Sequence, residues 1–119
     1  MSNIKVLLAN RPRMHREMVA ELVREQLDME MKGEVLDPIE LLLAVGETRA
    51  DVVVLDLPQP DKEPGICSHL LAEYPDLLIL ALASDLDSGF LYQRALGKTQ
   101  LPQVSQKEVL AAIRKADVF

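Results

Sequence analysis

Asp56 is the acid best placed to do chemistry. It closes the run Asp51-Val52-Val53-Val54-Leu55-Asp56, whose apolar stretch reads as a strand buried on both faces. Asn10 and Arg11 follow a second such run, Ile4 to Ala9, and Ala83 and Ser84 end a third, Leu77 to Ala83. Leu101-Pro102 lies in a shorter stretch near the carboxyl end. In a parallel α/β fold, groups at strand ends meet at one rim, where functional sites gather. These residues do not make a hydrolase. Ser84, Asp85 and His69 form no recognisable nucleophile arrangement, and there is no G-x-S-x-G turn. Ala9-Asn10-Arg11-Pro12 carries no glycine, so a dinucleotide loop after the first strand is excluded. His15 and His69 have no second ligand nearby in sequence to hold a metal. Cys67 stands alone, which excludes an internal disulfide and a CxxC pair, and reads as a small apolar core residue. We therefore assign no catalytic residue and no metal ligand, and expect no enzyme activity.

The elements that must position these groups follow from the apolar pattern. Met14, Met18, Val19, Leu22, Val23 and Leu27 recur at helical spacing after Pro12 and predict an amphipathic helix. Glu34-Val35-Leu36 predicts a weak second strand. Asp37-Pro38-Ile39-Glu40 reads as a helix start, with Asp37 as cap, and the helix is expected to stop near Gly46. Leu57 to Gly65 contains Pro58, Pro60 and Pro64 and must be a loop. Helices are predicted over Ile66–Glu73 and Asp85–Leu96, with a short edge strand in Thr99–Val104 weakened by Pro102. Ser105-Gln106-Lys107-Glu108 is a capping box, with Val104 and Val109 as its staple, before a last helix burying Val109, Leu110 and Ile113. The methionines read as core and rim packing. This alternation predicts one α/β domain over residues 1–119: a five-stranded parallel sheet, doubly wound as (βα)5, in the order 2-1-3-4-5.

Composition narrows the function further. Apolar residues make up 49% of the 119, enough for a core, and no apolar run approaches a membrane span. A net charge of −6 with 3% aromatics argues against direct nucleic-acid binding, which needs cations for phosphates and platforms for bases. No signal-peptide pattern opens the chain, so a cytoplasmic location is expected.

In this order of elements the chain resembles the receiver domain of bacterial two-component response regulators, the CheY-like family, over nearly its whole length. Asp51 to Leu57 looks like the family's third strand and puts Asp56 at the phosphoacceptor position. Pro60 falls four residues later, as the family's loop proline does, and Gly65 resembles its loop glycine with one residue inserted. Ile4 to Glu17 is similar to the receiver start of DNA-binding regulators, and Glu108 to Ile113 to the last helix.

The departures from the family pattern carry the functional expectation. The resemblance implies two metal-binding acids after the first strand, and these positions hold Asn10 and Arg11. The hydroxyl position holds Ala83, with Ser84 one place late. The lysine position holds Leu101, ahead of Pro102, with Lys98 out of register. Phosphoryl transfer to a carboxylate needs charge neutralisation and fixed geometry. A guanidinium about 5 Å from Mg²⁺, at an effective dielectric of about 20, repels it by roughly 6–7 kcal/mol before screening. Weak or absent Mg²⁺ binding is thus expected, and no cofactor. Arg11 either reaches Asp56 as a charge-assisted pair or points into solvent. The expected role is an atypical receiver acting by contact with a protein partner or a second copy. The family's contact surface is the fourth helix, fifth strand and fifth helix, here Asp85 to Val118, with exposed Phe90, Leu91 and Tyr92 as candidate anchors. Two alternatives stand beside it. One is a conventional phosphoaccepting regulator using Asp56; the other is a pseudo-receiver sensing a small ligand in the altered pocket.

Overall fold

A computed structural model describes residues 3–57, 64–83, 88–94 and 96–117. The elements are β1 (Ile4–Leu8), α1 (Arg13–Arg24), β2 (Met29–Glu34), α2 (Pro38–Thr48), β3 (Val52–Leu57), α3 (Gly65–Glu73), β4 (Leu78–Ala83), β5 (Gly89–Gln93), β6 (Gly97–Gln100) and α4 (Gln106–Arg114), ending in a 3-10 turn, Lys115–Asp117. The strands form one sheet in the order β2-β1-β3-β4-β5-β6. Its first four strands are parallel, as crossovers through α1, α2 and α3 require. The side chains of each strand alternate between two helical layers. Val6, Leu8, Val52, Val54, Leu78 and Leu80 face α1 and α4, with Val19, Val23, Val109 and Ile113 closing that side. Leu7, Val53, Leu55, Ile79 and Ala81 face α2 and α3, against Leu41, Val45, Cys67 and Leu70. The α/β class, the helical layers on both faces and the starting order 2-1-3-4 thus hold.

The second half of the sheet corrects the five-stranded parallel expectation. Gly89–Gln93, inside the segment expected to be a helix over Asp85–Leu96, is a strand antiparallel to β4, and β6 runs antiparallel to β5 in turn. The sheet is therefore six-stranded and mixed. Ala83 donates its N–H to the carbonyl of Ser88 at 2.8 Å, so the chain reverses directly after β4 and leaves no length for a crossover helix. Phe90, Leu91 and Tyr92 are β-formers that fill the sheet's two faces alternately, which explains the strand. The edge strand expected within Thr99–Val104 lies slightly earlier, at Gly97–Gln100.

Three smaller corrections have local causes. The second strand is Met29–Glu34 and not Glu34–Leu36, an alternating edge strand with Met29 buried. Its pairing with β1 shifts register between Val6 and Leu7, and Gly33 opposite takes φ +146, a value that suits a residue without Cβ. The second helix does not stop at Gly46. It runs to Thr48 and ends on Arg49 at φ 57, while a Cβ on Gly46 would sit 2.8 Å from the Tyr74 hydroxyl. That hydroxyl donates to the Leu42 carbonyl and ties α2 to the end of α3. Met14 and Leu27, read as inward-facing, are exposed, because α1 turns Met14 outward and ends at Arg24. The predicted caps do form: Asp37 accepts from the Glu40 N–H at 3.0 Å, and Ser105 from the Glu108 N–H at 3.2 Å.

The hairpin can be tested at Gly89. A Cβ there would meet Leu82 and Val104 side chains, each at 3.2 Å. Gly89→Ala should destabilise the protein by about 1–2 kcal/mol through overpacking. A helix over this segment would instead gain about 1 kcal/mol from the same change, so the sign of the shift in denaturant midpoint decides. A second test concerns α4. The Arg114 guanidinium donates to Asp28 at 2.9 and 3.2 Å and to Gln26 at 2.7 Å. The hydrogen bond from Arg114 holds the Asp28 carboxyl below its ordinary value. A carboxyl depressed in the fold adds stability above its unfolded value and loses it as pH falls through its folded value. In Arg114→Ala, the Asp28 carboxyl should titrate higher by NMR, and the stability gap to the wild type should narrow on acidification.

Candidate functional site

The carboxyl ends of β1 and β3 bring Asn10, Arg11 and Asp56 to one rim. The Ala9 N–H donates to the Val54 carbonyl at 2.8 Å, which carries the chain after β1 alongside the end of β3. The next contact is the central one: the main-chain N–H of Arg11 donates to Asp56 Oδ2 at 2.7 Å. The Arg11 side chain is exposed, and among the described residues its guanidinium makes no ion pair with Asp56. The backbone therefore makes the contact that sequence reasoning offered to the side chain. Asn10 is fully buried, and neither polar atom of its side chain has a hydrogen-bond partner among the described residues. Leaving a buried amide unpaired costs about 1–3 kcal/mol.

Arg16 was missed as a site residue. From the first turns of α1 its guanidinium reaches back over the turn and donates to the carbonyls of Arg11 and, at 3.3 Å, Asn10. Its Nε also lies 3.6 Å from Glu34 at the end of β2. One planar cation thus pins the turn that presents the Arg11 N–H to Asp56. An arginine one turn into the helix after a strand is the only trace of this in the sequence.

The remaining candidates are not brought together. Ala83 is buried at the end of β4, while Ser84 lies outside the described residues. Leu101 is turned into the core against the α1–α4 layer, its N–H bonded to the Gly89 carbonyl at 2.9 Å, and Pro102 is exposed beside it. Lys98 sits further along β6, with Nζ 4.2 Å from the centre of the Phe90 ring and 6.0 Å from that of Tyr92, a cation–π arrangement. Phe90, Leu91 and Tyr92 are 8%, 2% and 3% exposed, which corrects their assignment as exposed anchors: both faces of β5 are covered. His15 on α1 and His69 on α3 belong to opposite layers, and Cys67 is buried.

Beside Asp56 a groove of about 210 Å³ runs between the starts of α2 and α3, lined mainly by apolar side chains, including Leu36, Pro38 and Ile66, with Arg11 at its edge. A larger hollow of about 360 Å³ lies at the opposite end of the strands, between Arg49, Asp51, Glu73 and Tyr74, away from Asp56.

No family model matches the chain. It is 31% identical over 91 residues to the oxygen regulatory protein NreC of Staphylococcus epidermidis, an alignment that takes in 75% of this chain and 42% of that protein. The chain thus spans less than half the length of that relative. The response regulator domain of Thermotoga maritima CheB superposes with a TM-score of 0.55 at 21% identity, over 69% of this chain and 61% of the other, a likeness of fold. The likeness in sequence and the likeness in fold together support a CheY-like receiver domain.

The resemblance to receiver domains implies a Mg²⁺ site at the rim beside Asp56. Mg²⁺ favours carboxylate, carbonyl and water oxygens. Among the described residues the groups at the rim are one carboxylate already accepting an N–H, a neutral buried amide, and two carbonyls already held by Arg16. Among the described residues, no three of His, Cys, Asp or Glu come together as a metal site. Taken by themselves, these described groups make a poor donor set for the ion.

The brace predicts a local effect. Arg16→Ala removes bonds to two carbonyls, and the Arg11 amide should then exchange its hydrogen about tenfold faster, the factor set by losing about 1.5 kcal/mol of charge-assisted bonding. Unchanged exchange in a folded variant would show that the turn holds without Arg16.

Proposed function

We propose that this receiver domain signals by protein contact, with little or no Mg²⁺-dependent phosphorylation of Asp56. One observation carries the reading: the Asp56 carboxylate accepts the Arg11 N–H where the family's metal-binding acids would lie, so a neutral donor takes the place of a cation bridge. The buried Leu101, in place of a lysine, supports it, because no cation from that position faces an incoming phosphoryl oxygen. An acetyl phosphate dianion would then approach a carboxylate without a divalent ion between them, and like charges hold the two apart. What the chain offers partners is a fixed shape, with the turn after β1 held by Arg16.

The second reading is the conventional phosphoacceptor, favoured by Asp56 standing half-buried at the end of β3 within reach of solvent. Incubation with acetyl phosphate and Mg²⁺, followed by intact mass, separates the two, with Asp56→Asn as control. The expected outcome is no added mass in a protein shown by circular dichroism to be folded. One phosphoryl group on the wild type, absent from the control, would establish the conventional switch.

A further inference from the structure

The helix α2 is apolar nearly all round, which is unusual for a helix with one face in solvent. Leu41 and Val45 turn inward and are 2% exposed, whereas Ile39 and Leu43 turn outward and are 71% and 61% exposed. Spaced four apart, these two form one ridge on the outer face. Leu36, 41% exposed, extends the ridge to the mouth of the groove beside Asp56. By contrast α1, of similar length, keeps Arg13, Glu17, Glu21 and Arg24 along its outer face, with Met14 its one exposed large apolar side chain, so no apolar ridge forms there.

Charge decides what covers the ridge. From Glu34 to Thr48 the chain carries Glu34, Asp37, Glu40 and Glu47 and no lysine or arginine. Glu34 already faces Arg16, and Asp37 accepts the Glu40 N–H. Glu40 and Glu47 are exposed and form no ion pair among the described residues. A second copy meeting this face about a two-fold axis would set one acidic fringe against the same fringe. A partner with an apolar stripe flanked by cations would instead complement both features.

We propose that the outer face of α2, together with the groove beside Asp56, is a docking surface for a basic amphipathic helix of a partner protein. This rests on the reading that the domain works by contact, and it moves the contact away from the Asp85–Val118 face, where β5 has drawn the aromatic side chains inside. The acceptor carboxylate lies at the end of the same surface, so the occupied groove covers Asp56.

The test uses a synthetic helix of about 14 residues with leucine at i, i+3, i+4 and i+7 spacing and lysine elsewhere, beside a version with glutamate for lysine. It is run without a phosphodonor, so its outcome is separate from whether Asp56 can be phosphorylated. The lysine peptide should shift amide resonances within Leu36–Thr48 and at Arg11, while the glutamate peptide leaves them unmoved. The surface variant Ile39→Ser/Leu43→Ser should weaken binding about tenfold, and Glu40→Lys/Glu47→Lys by a similar factor. Absence of binding, shifts scattered to Glu73 and Asp76, or equal affinity for the serine variant would overturn the proposal. So would sedimentation showing a wild-type dimer that Ile39→Ser/Leu43→Ser takes apart.

Discussion

The bond from the Ala83 N–H to the Ser88 carbonyl governs the half of the domain that departs from a five-stranded parallel sheet. β4 is buried along its whole length, so its backbone groups must be satisfied by strands on both sides. On one side β3 supplies a parallel partner through a helical crossover. On the other, the immediate reversal at Ala83 supplies an antiparallel one. Once that reversal is made, Phe90 and Tyr92 must face the α3 layer and Leu91 the α4 layer. β6 then follows β5 back, and Leu101 arrives beside Leu82 and Leu91 in the core. A leucine at position 101 belongs with that reversal, since a buried ammonium there would lack a partner.

The same geometry explains which parts of the fold could be read from the residues. The buried strands Ile4–Leu8, Val52–Leu57 and Leu78–Ala83 are apolar runs broken at most by one polar residue, Lys5 or Asp56, and the caps at Asp37 and Ser105 have short-range causes, so all were visible. Asp85–Leu96 misled because its apolar residues also fit a helical period. The contrary signals were Ser88-Gly89 before three β-forming residues and Gly97 after them, and the reversal that selects the strand is a tertiary hydrogen bond. Met29–Glu34 was displaced because an edge strand need bury only one side chain in two, and Met-Glu-Met-Lys-Gly-Glu carries no apolar run.

At the site, position was legible and contact was not. The strand ends place Asn10, Arg11 and Asp56 at one rim, as their spacing in sequence implies. A main-chain N–H leaves no trace in residue identity, however, so the Arg11–Asp56 contact depends on the path of the turn. That path is held by Arg16, whose role depends on two carbonyls. Burial was equally silent: Leu101 and Asn10 are both enclosed, one because the hairpin delivers it to the core and the other because it follows β1 inward. The exposure of Ile39 and Leu43 could not be read either, since a helix apolar on every side gives no period to say which face turns outward.

The kink in β2 has a consequence of another kind. With the register broken opposite Leu7, and Glu30, Lys32 and Glu34 along it, this border of the sheet cannot present an even row of backbone groups to a foreign strand. The other border, β6, has only four residues, one of them Lys98 folded over the aromatic rings, and Pro102 follows soon after. Both margins resist strand addition, so the domain is poorly suited to seeding fibrils or ribbon-like stacks.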